Sequence, residues 1–256
     1  MTEFKKDKLD VKIADSRAAM GDIAGRDIAD CILRLQKEKD EINIIFAAAP
    51  SQNETLAKLL TVQEIDWSKI NAFHMDEYIG LAEDAPQRFG NFLKEAIFGR
   101  VPFKSVHYIN GGAEDIAAEC ARYSALLAEY PTDIVCLGIG ENGHIAFNDP
   151  PVADFNDAAV IKPVQLDEIC RHQQVNDGCF KTIDEVPTHA LTLTVPTLYK
   201  ADYLFCSVPA ATKAAAVYAM LHDDISEKCP ATILRRHDHA VLYCDPDSAA
   251  DCRREL

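Results

Sequence analysis

Residues 133–150 read DIVCLGIGENGHIAFNDP and hold the residue types that acid–base chemistry requires. An apolar run ends among Gly138, Gly140 and Gly143, and His144 follows at once, with Asp149 shortly after it. Imidazole exchanges a proton near neutral pH, and a carboxylate close by can orient it. The pattern is a buried strand entering a loop, and open α/β sheets bind their ligands at the carboxyl ends of strands. His144 is therefore a candidate general acid/base, with Asp149 beside it.

Three other strand ends could share this site. The first is HMDEY at 74–78. Here Asp76 is either a carboxylate on the functional edge of the sheet or a helix N-cap. Glu77 reads as a supporting group or a cap, and His74 as core. The second is AAAPSQNE at 47–54, where Ser51 and Gln52 suit a loop that wraps an anion at a helix start, or an ordinary cap. The third is VPAATK at 208–213, which places Lys213 near the start of a helix. A cation there opposes the helix dipole and hints at a bound anion.

Several elements must position these groups. Apolar runs at 41–48, 70–75, 105–110, 133–139, 190–195, 203–208 and 240–244 read as strands. Amphipathic stretches at 14–39, 114–129 and 210–222 read as helices between them. The expectation is an α/β fold: a doubly wound, mostly parallel sheet with helices on both faces, formed by one domain over 1–256. Residues 149–162 read as a loop or lid. Gly138 to Gly143 also matches GxGxxG, but Pro150 and Pro151 leave room for about two helical turns at most, which argues against a dinucleotide site. The spacing of His237 and His239 is seen in metal ligands, yet the flanking Arg235 and Arg236 favour an exposed turn.

The 256 residues are 48% hydrophobic and carry a formal charge of −15. That balance argues against nucleic acid or an anionic membrane as partner. It leaves room for an anionic small molecule in a local positive pocket. Nine cysteines without CxxC spacing, and an opening MTEFKKDKLD, fit a cytoplasmic protein with free thiols.

MDEYIGL at 75–81, GIGENGHIAFNDP at 138–150 and VPTHALTLTV at 186–195 resemble the signature segments of glucosamine-6-phosphate deaminases. These belong to the sugar-phosphate isomerase/deaminase family that also includes 6-phosphogluconolactonases. The resemblance implies a proton-shuttling role for Asp76 and a ring-opening role for His144. It sets Asp149 where the family has a glutamate that orients the histidine, and Lys213 on a phosphate-binding lysine. Ser51 and Gln52 fall at the family's glycine-rich phosphate loop, and Arg171 is the nearest candidate for its phosphate-binding arginine. Asn142 replaces an aspartate of the usual pattern, and an amide cannot supply charge to an imidazolium. The implied activity is isomerising deamination of a hexosamine 6-phosphate to a ketose 6-phosphate and ammonia. It needs no metal or cofactor, and homo-oligomerisation is left open. The alternatives are a 6-phosphogluconolactonase-type lactone hydrolase and a non-catalytic sugar-phosphate-binding regulator.

Overall fold

The computed structural model describes residues 1–252. The last four residues of the expected 1–256 span lie outside them. The strands are β1 (Thr2–Lys6), β2 (Leu9–Ile13), β3 (Ile42–Phe46), β4 (Ile70–His74), β5 (Asp76–Tyr78), β6 (Ser105–His107), β7 (Ile134–Leu137), β8 (Ile161–Gln165), β9 (His189–Leu193), β10 (Tyr203–Val208) and β11 (Ala240–Cys244). The helices are α1 (Arg17–Glu38), α2 (Asn53–Leu59), α3 (Phe89–Leu93), α4 (Ile116–Glu129), α5 (Glu168–Asn176), α6 (Val195–Tyr199) and α7 (Ala214–His222).

Eight strands form the main sheet in the order β1-β2-β11-β10-β7-β3-β4-β6. Every neighbouring pair is parallel except β1 with β2, which form an antiparallel hairpin at the edge. The core strands β3, β4 and β7 are buried along their whole length, as strands covered on both faces must be. Alternation sends Ile42, Ile44 and Phe46 of β3 to one face, where Met20, Ile28 and Ile32 of α1 and Leu56 of α2 pack. Ile45 points to the other face, with Tyr123 of α4 and Val217 and Met220 of α7. This is the doubly wound arrangement expected from the sequence.

Two features differ from the sequence reading. The run at 190–195 does not join the main sheet; β9 pairs antiparallel with β5 and β8 in a separate three-stranded sheet. The loop expected over 149–162 is irregular up to residue 160, with β8 beginning at Ile161, in keeping with the sequence. The β1–β2 hairpin was not foreseen. Leu9, Val11 and Ile13 face the core while Asp10 and Lys12 face outward, an alternation masked by the charges. No helix among the described residues is long and apolar enough to cross a membrane.

Candidate active site

The winding of the main sheet reverses between β3 and β7. The chain leaves β3 for β4 and β6 on one side, returns to β7, then continues to β10 and β11 on the other. Loops that diverge from such a switch point open a crevice at the carboxyl ends of the strands. Here the crevice is a cleft walled by loops from both sides of the switch point. Residues 47–51 after β3, Asp76 after β4, Gly138, Gly140 and His144 after β7, and Ala210, Thr212 and Lys213 after β10 all line it. Arg17, beyond β2, and Gln173, Gln174 and Asp177 on or after α5 complete the wall.

The histidine is held by two side chains that also bond each other. His144 Nδ1 lies 2.7 Å from Asn142 Oδ1 and 2.9 Å from Asp149 Oδ1. Asn142 Nδ2 donates to the same Asp149 oxygen at 2.9 Å. The amide donor is thus committed to Asp149, and both atoms facing Nδ1 are acceptors. In neutral His144 the proton therefore sits on Nδ1, and Nε2 is left as the basic nitrogen for the cleft. The loop needs its glycines for this. A Cβ on Gly140 would lie 2.0–2.4 Å from the imidazole, and Gly143 has φ +79°, where other residues are strained. Burial pushes the Asp149 carboxyl up, but the bond and charge of His144 and the Asn142 amide outweigh it, so its pKa lies below the ordinary value.

Asp76 is held differently. It lies in β5 opposite Thr192 of β9, so it is a strand residue and not a helix cap. His74, at the end of β4, donates from Nδ1 to the Asp76 carbonyl at 2.8 Å and accepts at Nε2 from the Ile109 amide at 2.9 Å. Burial lowers the His74 pKa to about 4, so a neutral ring anchors the Asp76 backbone. The Asp76 carboxylate itself receives no hydrogen bond from the described residues and is only 8% exposed. Burial, with Glu77 adding like charge, raises its pKa well above the usual carboxylate range. Glu77 points the other way, accepting from the amides of Tyr78, Phe89 and Gly90, and so caps α3.

The anion-binding candidates separate into two groups. Ser51 lines the cleft and accepts from Gln52 Nε2, which leaves its hydroxyl proton for a ligand. Lys213 also lines it; burial lowers its pKa, opposed by the charges of Asp177 and Glu141. Ala210, just before, is held at φ 84° with its amide on Asp245, a strained turn that aims this segment. Gln52 and Arg171 do not reach the cleft, contrary to the sequence reading. The Gln52 side chain turns under the loop and donates to Leu137 O and Ser207 O, tying the ends of β7 and β10. Arg171 Nη2 donates to Ile183 O and Val186 O, at the two ends of the short turn over 183–186.

His144, Asp149 and Cys170 have ligand atoms within 4.8 Å of one another, but Nδ1 is spent on Asn142 and Asp149. His237 is not arranged as a metal ligand: its nitrogens serve Ala201 O and the His239 amide. No helix follows Gly143 before β8, so the glycine loop lacks the dinucleotide geometry. The sequence reading missed Arg17 and the α5 residues. The signal for Arg17 was available, since it too follows the carboxyl end of a parallel strand.

A doubly wound sheet with a buried histidine and a buried carboxylate on one cleft at its switch point narrows the class, and comparison with known proteins completes the assignment. The family described as glucosamine-6-phosphate isomerases/6-phosphogluconolactonase matches residues 15–243, and the chain belongs to it. Glucosamine-6-phosphate deaminase of Bacillus cereus (strain G9842) is 38% identical over 193 residues, covering 75% of this chain and 72% of the relative. The corresponding protein of Bacillus cytotoxicus is 37% identical over the same shares. A monomeric glucosamine-6-phosphate deaminase of solved structure superposes with a TM-score of 0.84 at 30% identity, over 94% of this chain and 98% of that one. A 6-phosphogluconolactonase from Thermotoga maritima, at 20% identity and a TM-score of 0.73, covers 92% of this chain and 98% of its own, and shares the fold. The protein is an enzyme of this family's kind.

Proposed function

We propose that the chain, acting as one unit, deaminates a hexosamine 6-phosphate with isomerisation, giving the ketose 6-phosphate and ammonia. The observation that carries this reading is Asp76: a buried carboxylate without a partner on the same cleft as a tautomer-fixed histidine. A lactone hydrolase needs a base for water, which His144 alone supplies, and has no use for a second carboxylate. Aldose–ketose isomerisation needs a group that carries a proton from C2 to C1.

His144 Nε2 takes the anomeric hydroxyl proton and delivers a proton to the ring oxygen as the C1–O bond opens, while Asn142 and Asp149 hold the Nδ1 proton. Asp76, ionised, removes the C2 proton and returns it to C1, while O1 gains a proton as the amino nitrogen loses one, leaving a C1 alcohol and a C2 imine. The raised pKa makes this carboxylate a stronger base than an ordinary aspartate and brings it nearer the working pH. Water adds to the C2 imine that results, and ammonia leaves as the ketose forms. Ser51 and Lys213 hold the phosphate. A panel of phosphorylated amino sugars and phosphorylated lactones, assayed for ammonia, ketose and acid release, tests the reading. Ammonia and ketose in equal amounts are expected, and acid from a lactone without ammonia from any amino sugar would replace it with the hydrolase.

A further inference from the structure

Two cations line the cleft, Lys213 and Arg17, and the mechanism above uses only the first. Asp76 and Asp177 stand on the same wall, and the chain as a whole is acidic, so a dianion entering here meets opposing charge. The arginine expected from the sequence, Arg171, is committed to backbone carbonyls elsewhere. Arg17 begins α1 directly after its cap, Ser16. Its Nε and Nη2 fork onto Glu54 at 2.7 and 3.2 Å, and Nη2 also donates to Pro50 O at 2.9 Å. Pro50 and Ser51 line the cleft themselves, so the guanidinium is pinned to the loop that carries Ser51. Its Nη1 has no partner among the described residues.

We infer that Arg17 is a substrate-binding residue that holds the sugar's phosphate together with Lys213 and Ser51, and that Glu54 positions it. This rests on the reading of the substrate as a phosphorylated sugar. With Nε and Nη2 held by Glu54 and Pro50, the guanidinium keeps its two Nη1 protons and a permanent charge at a fixed position for a phosphate oxygen, where a lysine would be free to swing. The carboxylate that orients it spends the guanidinium's other donors, much as an outer partner orients a metal ligand.

The test compares KM for the phosphorylated amino sugar with that for its unphosphorylated form, and the inhibition constant of inorganic phosphate, in the full-length enzyme. Arg17→Gln should raise KM for the phosphorylated sugar and weaken inhibition by phosphate about 10-fold each, the low end for a charge-assisted contact on a side chain 40% exposed. The unphosphorylated sugar should be little affected and kcat nearly unchanged. Arg17→Lys, which keeps the charge, should fall between, and serves if the glutamine variant does not fold. Glu54→Gln breaks the same tie between α1 and α2 but leaves the guanidinium, so it should raise KM less than Arg17→Gln. Equal losses for both sugars, or a Glu54→Gln effect as large as that of Arg17→Gln, would reduce Arg17 to a structural tie and overturn the inference. An unchanged phosphate inhibition would overturn it too while the proposed reaction stood. A wild-type enzyme that made no distinction between the two sugars would remove the phosphate reading and this inference with it.

Discussion

Two buried aspartates sit at opposite ends of the same sheet, and they are treated in opposite ways. Asp133, just before β7, is 3% exposed and fully engaged: it accepts from the Asn43 amide at 2.7 Å and pairs with the Lys39 ammonium. Asp76, just after β4, is also buried, at 8% exposed, and accepts no hydrogen bond from the described residues. A buried carboxylate with partners is kept ionised and helps hold the fold; one without them is costly to ionise. The difference follows the polarity of the parallel sheet. At the amino ends of the strands, polar groups are satisfied by the protein. At the carboxyl ends some face the cleft instead, and in the proposed reading Asp76, the Ser51 hydroxyl and Lys213 are groups kept for the substrate.

Replacing each aspartate should break this comparison in opposite directions. Asp76→Asn should lower kcat most of all, by about 10⁴-fold, because no water replaces a buried carboxylate between C2 and C1. The same change should stabilise the protein. An acid whose folded pKa is raised weakens folding as pH climbs above the unfolded pKa, and the whole penalty is in place above the folded pKa. The gain in unfolding midpoint for Asp76→Asn should therefore be absent near pH 3, grow through the carboxylate range, and level off above the raised pKa of Asp76. Thermal unfolding of both proteins across pH reads this directly.

His144→Gln should lower kcat on the closed-ring sugar by about 10²–10³-fold, less than the loss at Asp76, since sugar rings also open unaided in water. Pre-opened substrate should recover part of the rate. Asn142→Asp should act on stability first. The new carboxylate would face Asp149 in place of a 2.9 Å amide bond, setting like charges against each other. Its unfolding midpoint should fall below the parent's at neutral pH, with the gap closing as acid protonates one of the pair. Asp133→Ala should show the smallest effect on turnover per folded molecule, near none. It leaves the Asn43 amide unpaired in the interior and should cost about 1–3 kcal/mol of stability. A fall in kcat as large as that of Asp76→Asn would mean that the two ends of the sheet are not divided in this way.

The histidine loop was legible in the sequence because its signal is local: an apolar strand, glycines, an imidazole and a carboxylate follow one another in a few residues. Ser51, Lys213 and Asp76 were legible for a second reason, since each follows a buried parallel strand and the carboxyl edge is where such sheets bind. That logic failed for Arg17 only because β2 was not recognised. Its outward Asp10 and Lys12 interrupt the apolar run that marked the other strands. The directions of Gln52 and Arg171 could not be read, because carbonyls distant in sequence decide where an amide or guanidinium turns. The placement of β9 was hidden for a similar reason: an apolar run does not say which strand it pairs with. The partnering of Asn142 with Asp149 also came only from the structure. From sequence the amide was a missing charge; in the fold its Nδ2 donates to Asp149, which turns its oxygen toward His144 Nδ1 as an acceptor.

The account rests on Asp76 being left free to carry a proton. The direct measurement is exchange of the substrate C2 proton with solvent deuterium, followed by NMR, in the parent enzyme and in Asp76→Asn, with sugar-phosphate binding checked in both. The parent should exchange and Asp76→Asn should bind without exchanging. Exchange at the parent rate in Asp76→Asn would contradict the account and move the proton transfer to another group on the cleft.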